Sequence, residues 1–275
     1  MIGIANTIFR NIKKISGGAS TDPDAQAFIT ASGISGTNAT AINQLVLDLK
    51  SANIWTKMKA IYPIVGGTAS THKWNLKDPR DLDAAYRLAF GTGMTHSSNG
   101  FVSNGTSGFA NTYLTPNSHL TNNNTHLSVY SRTNLNIAAA SFDIGTSNNV
   151  AAFYDLSLRL GDTLYSDSYN NSTNRFTTAN TDSRGLFTTT RTSSTVLKVF
   201  RNASQLGSTL TAASTNFTSL TQPIYICALN KNGAVDFYTT RQYAFASIGD
   251  GLSDAEVTSL NTAVTTFQTT LGRNV

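Results

Sequence analysis

The sequence predicts a mainly β fold, antiparallel sheets packed as a sandwich, with short helices before it and one helix after it. Three observations predict this. Short apolar runs separated by Gly, Asn, Ser and Asp fill the chain from residue 58 onward, without the alternating helices that a doubly wound parallel sheet requires. The polar positions are Thr, Ser and Asn more often than charged residues, as in TNNNT at 121–125 and TTT at 188–190, a composition suited to the turns and solvent faces of β proteins. The clear helical patterns lie towards the two ends.

Met1, Ile2, Ile4, Ala5, Ile8, Phe9, Ile12 and Ile15 fall in one arc when successive residues are turned by about 100°, and Asn6, Thr7, Arg10, Asn11, Lys13 and Lys14 fall in the other. Such a segment can lay its apolar side into a membrane interface or a partner's groove while its cations stay hydrated or face anionic headgroups. The expected anchoring residues are Ile4, Ile8, Phe9, Arg10, Ile12, Lys13, Lys14 and Ile15. The bland alternative is a first helix packed on its own domain. SGGAS at 16–20 reads as a flexible link, which divides the chain into an arm and hinge, 1–20, and one larger unit, 21–275.

Asp22-Pro23 starts a short helix carrying Phe28 and Ile29 and ending near Gly33, because proline is preorganised for the first helical position. Ile42, Leu45, Val46 and Leu49 form the apolar face of a second helix, which Asn53 can end. Strands are then expected at 58–64, 86–90, 125–132, 151–160, 185–191, 196–201, 224–229 and 238–248. After the turn Gly249-Asp250-Gly251, Ser253 and Glu256 stand at capping-box spacing, worth about 1 kcal/mol to the helix they open. Val257, Leu260, Val264, Phe267 and Leu271 form its stripe, and Gly272 stands where a left-handed cap belongs.

With 275 residues, 40% hydrophobic and 13% charged, the chain can bury a substantial core. Its net charge is +5, and Arg10, Lys13 and Lys14 supply three of those charges with no acid before Asp22. No Lys/Arg-rich run with interleaved aromatics follows, so nucleic-acid binding has little electrostatic support. Cys227, the single cysteine, excludes an intrachain disulfide and reads as a buried strand residue. No apolar run reaches the roughly 20 residues of a bilayer span, and the first 20 residues lack the continuous apolar block of a secretory signal, so export by that route is not expected.

Enzymatic chemistry finds little support. Glycan cleavage generally needs two carboxylates, yet Glu256 is the one glutamate and is occupied in capping. Aspartates could substitute, and Asp155, Asp162 and Asp167 lie on or beside plausible strands, although turn formation and strand polarity explain them more simply. His72, His96, His119 and His126 have no metal-ligand spacing, no GxSxG elbow occurs, and IVGGT at 64–68 lacks the lysine of a phosphate loop, reading as a turn. No cofactor is expected; calcium is the one weighed, through Asp143, Asp162, Asp167 and Asp250.

Several stretches carry a family resemblance. TVLKVFRNASQLGS at 195–208 looks like the strand, turn and strand of a laminin-G or concanavalin A-like jelly roll, and Gly185-Leu186-Phe187 resembles the strand that often pairs with it. AFIT at 27–30, IWTKMKAIYP at 54–63, KDPRDLDAA at 77–85 and the ending YAFASIGDGLSDAEVTSLNTAVTTFQTTLGR at 243–273 resemble virion proteins of phages infecting Bacteroidota-type hosts. The resemblance spans 22–273. It implies a concanavalin A-like jelly-roll sandwich in a spike, fibre or head-surface protein, located on the virion surface and attaching to a host-surface glycan. Other virion proteins are the expected partners; the amphipathic arm adds a membrane surface as a candidate contact, and the gain that weak sites draw from repetition makes a homo-oligomer expected. The alternatives are a head decoration or scaffold protein without ligand, and an aspartate-based glycan depolymerase. The family supplies no fixed ligand motif; Trp74, Tyr113, Tyr130, Tyr165 and Tyr169 are the aromatic candidates for a sugar face.

Overall fold

Local chemistry sets the first helices. The Asp22 carboxylate accepts from the Asp24 amide to cap α1 (Pro23–Ser32), and Gly33, at φ 70°, ends it while its amide donates to the Ile29 carbonyl. Helix α2 (Gly36–Ser51) buries Ala41, Ile42, Leu45, Val46 and Leu49 on one face, and Asn53 turns the chain away at φ 58°. The computed structural model describes residues 20–170, 173–215 and 217–275; the anchoring residues expected between Ile4 and Ile15 lie outside them.

The remaining elements are short. In chain order they begin with β1 (Met58–Tyr62), α3 (Ala69–His72), β2 (Ala89–Phe90), β3 (Met94–Ser97), β4 (Gly100–Ser103), β5 (Ala110–Asn111), α4 (Pro116–His119), β6 (Thr125–Ser131) and β7 (Ile144–Ser147). There follow β8 (Phe153–Leu160), β9 (Thr163–Asn170), β10 (Phe176–Ala179), β11 (Gly185–Ser193), β12 (Val196–Arg201) and β13 (Ser204–Leu210). The last are β14 (Tyr225–Ile226), β15 (Leu229–Lys231), β16 (Ala234–Asp236), β17 (Gln242–Gly249) and α5 (Asp254–Thr270).

Two sheets result. The first runs β13-β12-β11-β6-β17-β4-β3, with β1 also pairing with β17. The second runs β10-β9-β8-β7-β14-β5-β2, with the β15–β16 hairpin attached through a parallel pairing of β15 with β7. Leu127, Val129, Phe187, Val199 and Ile248 of the first sheet meet Ile144, Tyr154, Leu156, Leu164 and Ile226 of the second in one core. This is the expected mainly β, concanavalin A-like jelly-roll sandwich with short N-terminal helices and a C-terminal helix.

A third layer covers the first sheet. Tyr130, Leu186, Phe200 and Phe245 point away from the sandwich core and pack with Phe28, Leu45, Leu49, Val257, Leu260 and Phe267 of α1, α2 and α5. Both faces of β6 are therefore buried. The C-terminal segment is locked down by Arg273, whose buried guanidinium donates to the carbonyls of Pro63 (2.9 Å), Ile64 (2.7 Å) and Ala244 (2.9 Å) and to Gln268 Oε1 (2.6 Å).

Three strand expectations change in detail. Only Ala89–Phe90 of 86–90 is extended, since Tyr86 sits at φ 59° after a 3-10 turn. The run 224–229 is split, because Cys227, buried as expected, takes φ 71° between β14 and β15. The last strand begins at Gln242, because residues 238–241 stand outside the ladder, the Thr239 amide donating instead to the Cys227 carbonyl.

Candidate functional site

Because α1, α2 and α5 cover the first sheet, the outer face of the second sheet is the broad sheet surface these helices leave uncovered. Ala110, Ile226, Ile144 and Leu156 send their side chains into the sandwich core, so strand alternation turns their neighbours outward. The neighbours form one cross-strand row: Asn111 opposite Tyr225, Tyr225 opposite Gly145, Gly145 opposite Asp155, and Asp155 opposite Asp167. Gly145 is required there, since a Cβ would stand 2.4 Å from that of Asp155.

Aromatic rings flank the row. Phe109 packs on Tyr225 with centroids 4.8 Å apart, and Arg87 lies 5.8 Å from the Tyr113 ring. At the other side Phe142 contacts Phe237 at 5.8 Å, and Arg175 lies 5.9 Å from Phe142 and 5.3 Å from Tyr165. A cavity of about 330 Å³ opens on this second side, lined among others by Phe142, Asn149, Phe153, Arg175, Lys231 and Phe237. Lys231 Nζ stands 4.9 Å from the Phe237 ring centre and 3.3 Å from Asp236.

Behind Arg175 lies an acid pair. The Asp167 Oδ2 accepts from Arg175 Nε at 3.0 Å and, more closely, from Nη2, while Asp155 Oδ1 lies 3.9 Å from the same Nη2. Both aspartates are fully buried, and Asp155 Oδ1, Asp155 Oδ2 and Asp167 Oδ1 make no hydrogen bond. Burial pushes both carboxyls up; the charge on Asp167 adds to the effect at Asp155, while Arg175 partly offsets it. Asp155 is raised well above its ordinary value and Asp167 to about 6.

Of the three aspartates weighed for catalysis, the structure unites Asp155 and Asp167. Asp162 is exposed in the β8–β9 turn, paired with Arg159 at 2.6 Å. The four weighed for calcium do not converge, because each faces a basic side chain: Asp143 with Arg241, Asp162 with Arg159, Asp167 with Arg175 and Asp250 with Lys59. Among the described residues no group of three or more acid, His or Cys side chains could hold a metal ion.

The histidines have local partners. His72 Nδ1 meets His96 Nδ1 at 3.0 Å, His119 bonds Thr115, and His126 lies between the Asp250 carbonyl (2.6 Å) and Ser247 (3.1 Å). Because His72 Nε2 accepts from the Gly67 amide, neutral His72 carries its proton on Nδ1 and donates to His96.

Among the aromatic candidates, Tyr165 belongs to this face and Tyr113 lies towards its other end. Tyr169 is stacked inside the core between Tyr154 and Phe217, at 4.8 and 3.9 Å. Tyr130 is buried beneath the helices, its hydroxyl donating to Asn274 Oδ1. Trp74 packs with the helical layer beneath Lys73. Sequence reasoning missed Phe142, Phe153, Tyr225, Phe237, Arg175, Lys231 and Gly145, several of which flank strands too short to show alternation.

No protein-family model matches the sequence, and no curated protein matches it at a significant level. Solved structures share the fold. A mutant of Trypanosoma rangeli sialidase displaying trans-sialidase activity superposes with a TM-score of 0.55 at 11% identity, over 81% of this chain and 38% of that one. The botulinum neurotoxin serotype D binding domain superposes at 0.51 with 10% identity, over 77% of this chain and 52% of that one. The chain thus spans about half or less of the length of these structures, and the likeness is one of fold.

Proposed function

We propose that the protein is a carbohydrate-binding β-sandwich that holds a sugar on the open face of its second sheet. One observation carries this reading: on the face the helices leave open, half-buried rings adjoin amide, hydroxyl and cationic groups around a cavity. Sugars present apolar C–H faces and hydroxyl arrays together, and such a mixed surface matches both. Recurrence of the fold in a sialidase structure and in a toxin's binding domain is in keeping with a recognition role. The carboxylates of Asp155 and Asp167 are buried under Arg175, out of reach of a sugar's glycosidic oxygen, which favours binding over cleavage.

The sequence resemblance extends the proposal to a setting. In it the chain is a surface component of a phage particle, fastened through residues 1–16 to other virion proteins or a membrane surface, and repeated as a homo-oligomer so that weak sites act together. A glycan array with the folded protein tests the core of the reading: binding is expected, and its loss is expected in Phe237→Ala, which removes a ring from the cavity wall. Absence of binding across the array reduces the protein to decoration or scaffold, and release of reducing ends from a host polysaccharide would identify a depolymerase instead. Particles that incorporate a chain lacking residues 1–16 as well as the full chain would remove the anchor.

A further inference from the structure

The cavity beside the acid pair is asymmetric in charge. Arg175 and Lys231 line it, whereas Asp155, Asp167 and Asp236, the acids nearest to those cations, do not. The Arg175 bonds to Asp167 use Nε and Nη2, so the Nη1 edge of the fork is not spent on that carboxylate. Its side chain retains 22% exposure, enough to reach a ligand while remaining fixed from behind. A guanidinium held in this way is preorganised, and a planar fork suits a carboxylate or sulfate. Lys231 is a rim cation in a half-exposed pair with Asp236, held at 3.3 Å, an interaction weak enough to yield to a ligand anion. Phe142, Phe153 and Phe237 supply the apolar wall that a sugar ring needs between two such cations.

We propose that this cavity selects an acidic sugar, one bearing a carboxylate or sulfate, with Arg175 gripping the anionic group and Lys231 closing on it from the rim. The inference rests on the carbohydrate reading above and adds the ligand's chemical class. Arg175 is its specificity-determining residue, and Asp167 and Asp155 are positioning residues that hold the guanidinium at the cavity edge without touching the sugar.

Calorimetric titration with matched ligands decides it. The pairs are methyl α-galactopyranosiduronate against methyl α-galactopyranoside, and sialyllactose against lactose, at low and high salt. The acidic member of at least one pair is expected to bind about tenfold tighter at low salt, the scale of one charge-assisted hydrogen bond, with the advantage shrinking as salt rises. Lys231→Gln, at the half-exposed rim, is expected to lower the acidic-to-neutral ratio. Arg175→Gln combined with Asp167→Asn, which leaves no unpaired buried carboxylate at 167, is expected to abolish it; thermal melting of both variants confirms that they are folded. Neutral sugars bound as tightly as their acidic twins, or an acidic preference that survives both variants, would overturn the inference while leaving carbohydrate binding in place. A chain that binds neither these ligands nor any array glycan would overturn both.

Discussion

Buried titratable side chains give the molecule two opposing responses to pH. His126 is fully buried, and desolvation lowers its pKa from 6.5 to about 4. Between those values the unfolded chain binds the extra proton, so the stability from neutral His126 is complete above about 6.5 and is lost as pH falls towards about 4, by up to about 3 kcal/mol. His72, lowered to about 3 by burial, His96 and Arg273, acts in the same direction. Asp155 and Asp167 act oppositely: their raised values favour the fold below the ordinary carboxylate pKa, and that contribution is lost as pH rises, through about 6 at Asp167 and in the same sense at Asp155. Urea unfolding across this range should show His126→Gln flattening the acid limb, and Asp155→Asn raising stability near neutral pH while flattening the opposing trend. An unchanged pH profile in Asp155→Asn would contradict the raised titration of the buried acid pair. Gly145→Val should cost about 2 kcal/mol in the same assay, because overpacking at a closed site is expensive, and should weaken sugar binding.

Elements differ in how plainly the sequence announces them. The terminal helix was legible to its cap: Ser253 Oγ accepts from the Glu256 amide, and Glu256 Oε2 accepts from the Ser253 amide at 2.8 Å. Ser253→Ala should lower the unfolding free energy by about 1 kcal/mol. The 195–208 stretch likewise forms β12, a turn with Asn202 and Ala203 both at positive φ, and β13, with Gly185-Leu186-Phe187 in the partner strand β11. The acid pair was less accessible. Gly161 and Asp162, both at positive φ, make a two-residue turn that sets Leu160 opposite Thr163, and an uninterrupted hairpin from there would place Asp155 opposite Ser168. A register shift between Ser157 and Leu160 brings Asp167 opposite Asp155 instead. Turn chemistry foretells the hairpin, whereas the bulge that creates the site depends on tertiary packing.

At the scale of the whole molecule, three layers assign separate tasks to the two sheets. The helices α1, α2 and α5 bury the outer face of the first sheet, and their apolar stripes foretold that they would be buried without saying on which surface. That placement leaves the second sheet's outer face free of helices, with the cavity beside Arg175 opening next to the buried Asp155 and Asp167. Pairings between residues as distant as 111 and 225 build this face, which is why the candidate aromatics read from sequence divided among core, helical layer and site. The central claim is that this face receives a sugar. Amide chemical-shift mapping with a glycan bound by the full chain tests it most directly: perturbations are predicted on β7, β8, β14 and around Phe237 and Arg175, and perturbations confined to the helical layer, or none with any glycan, would contradict it.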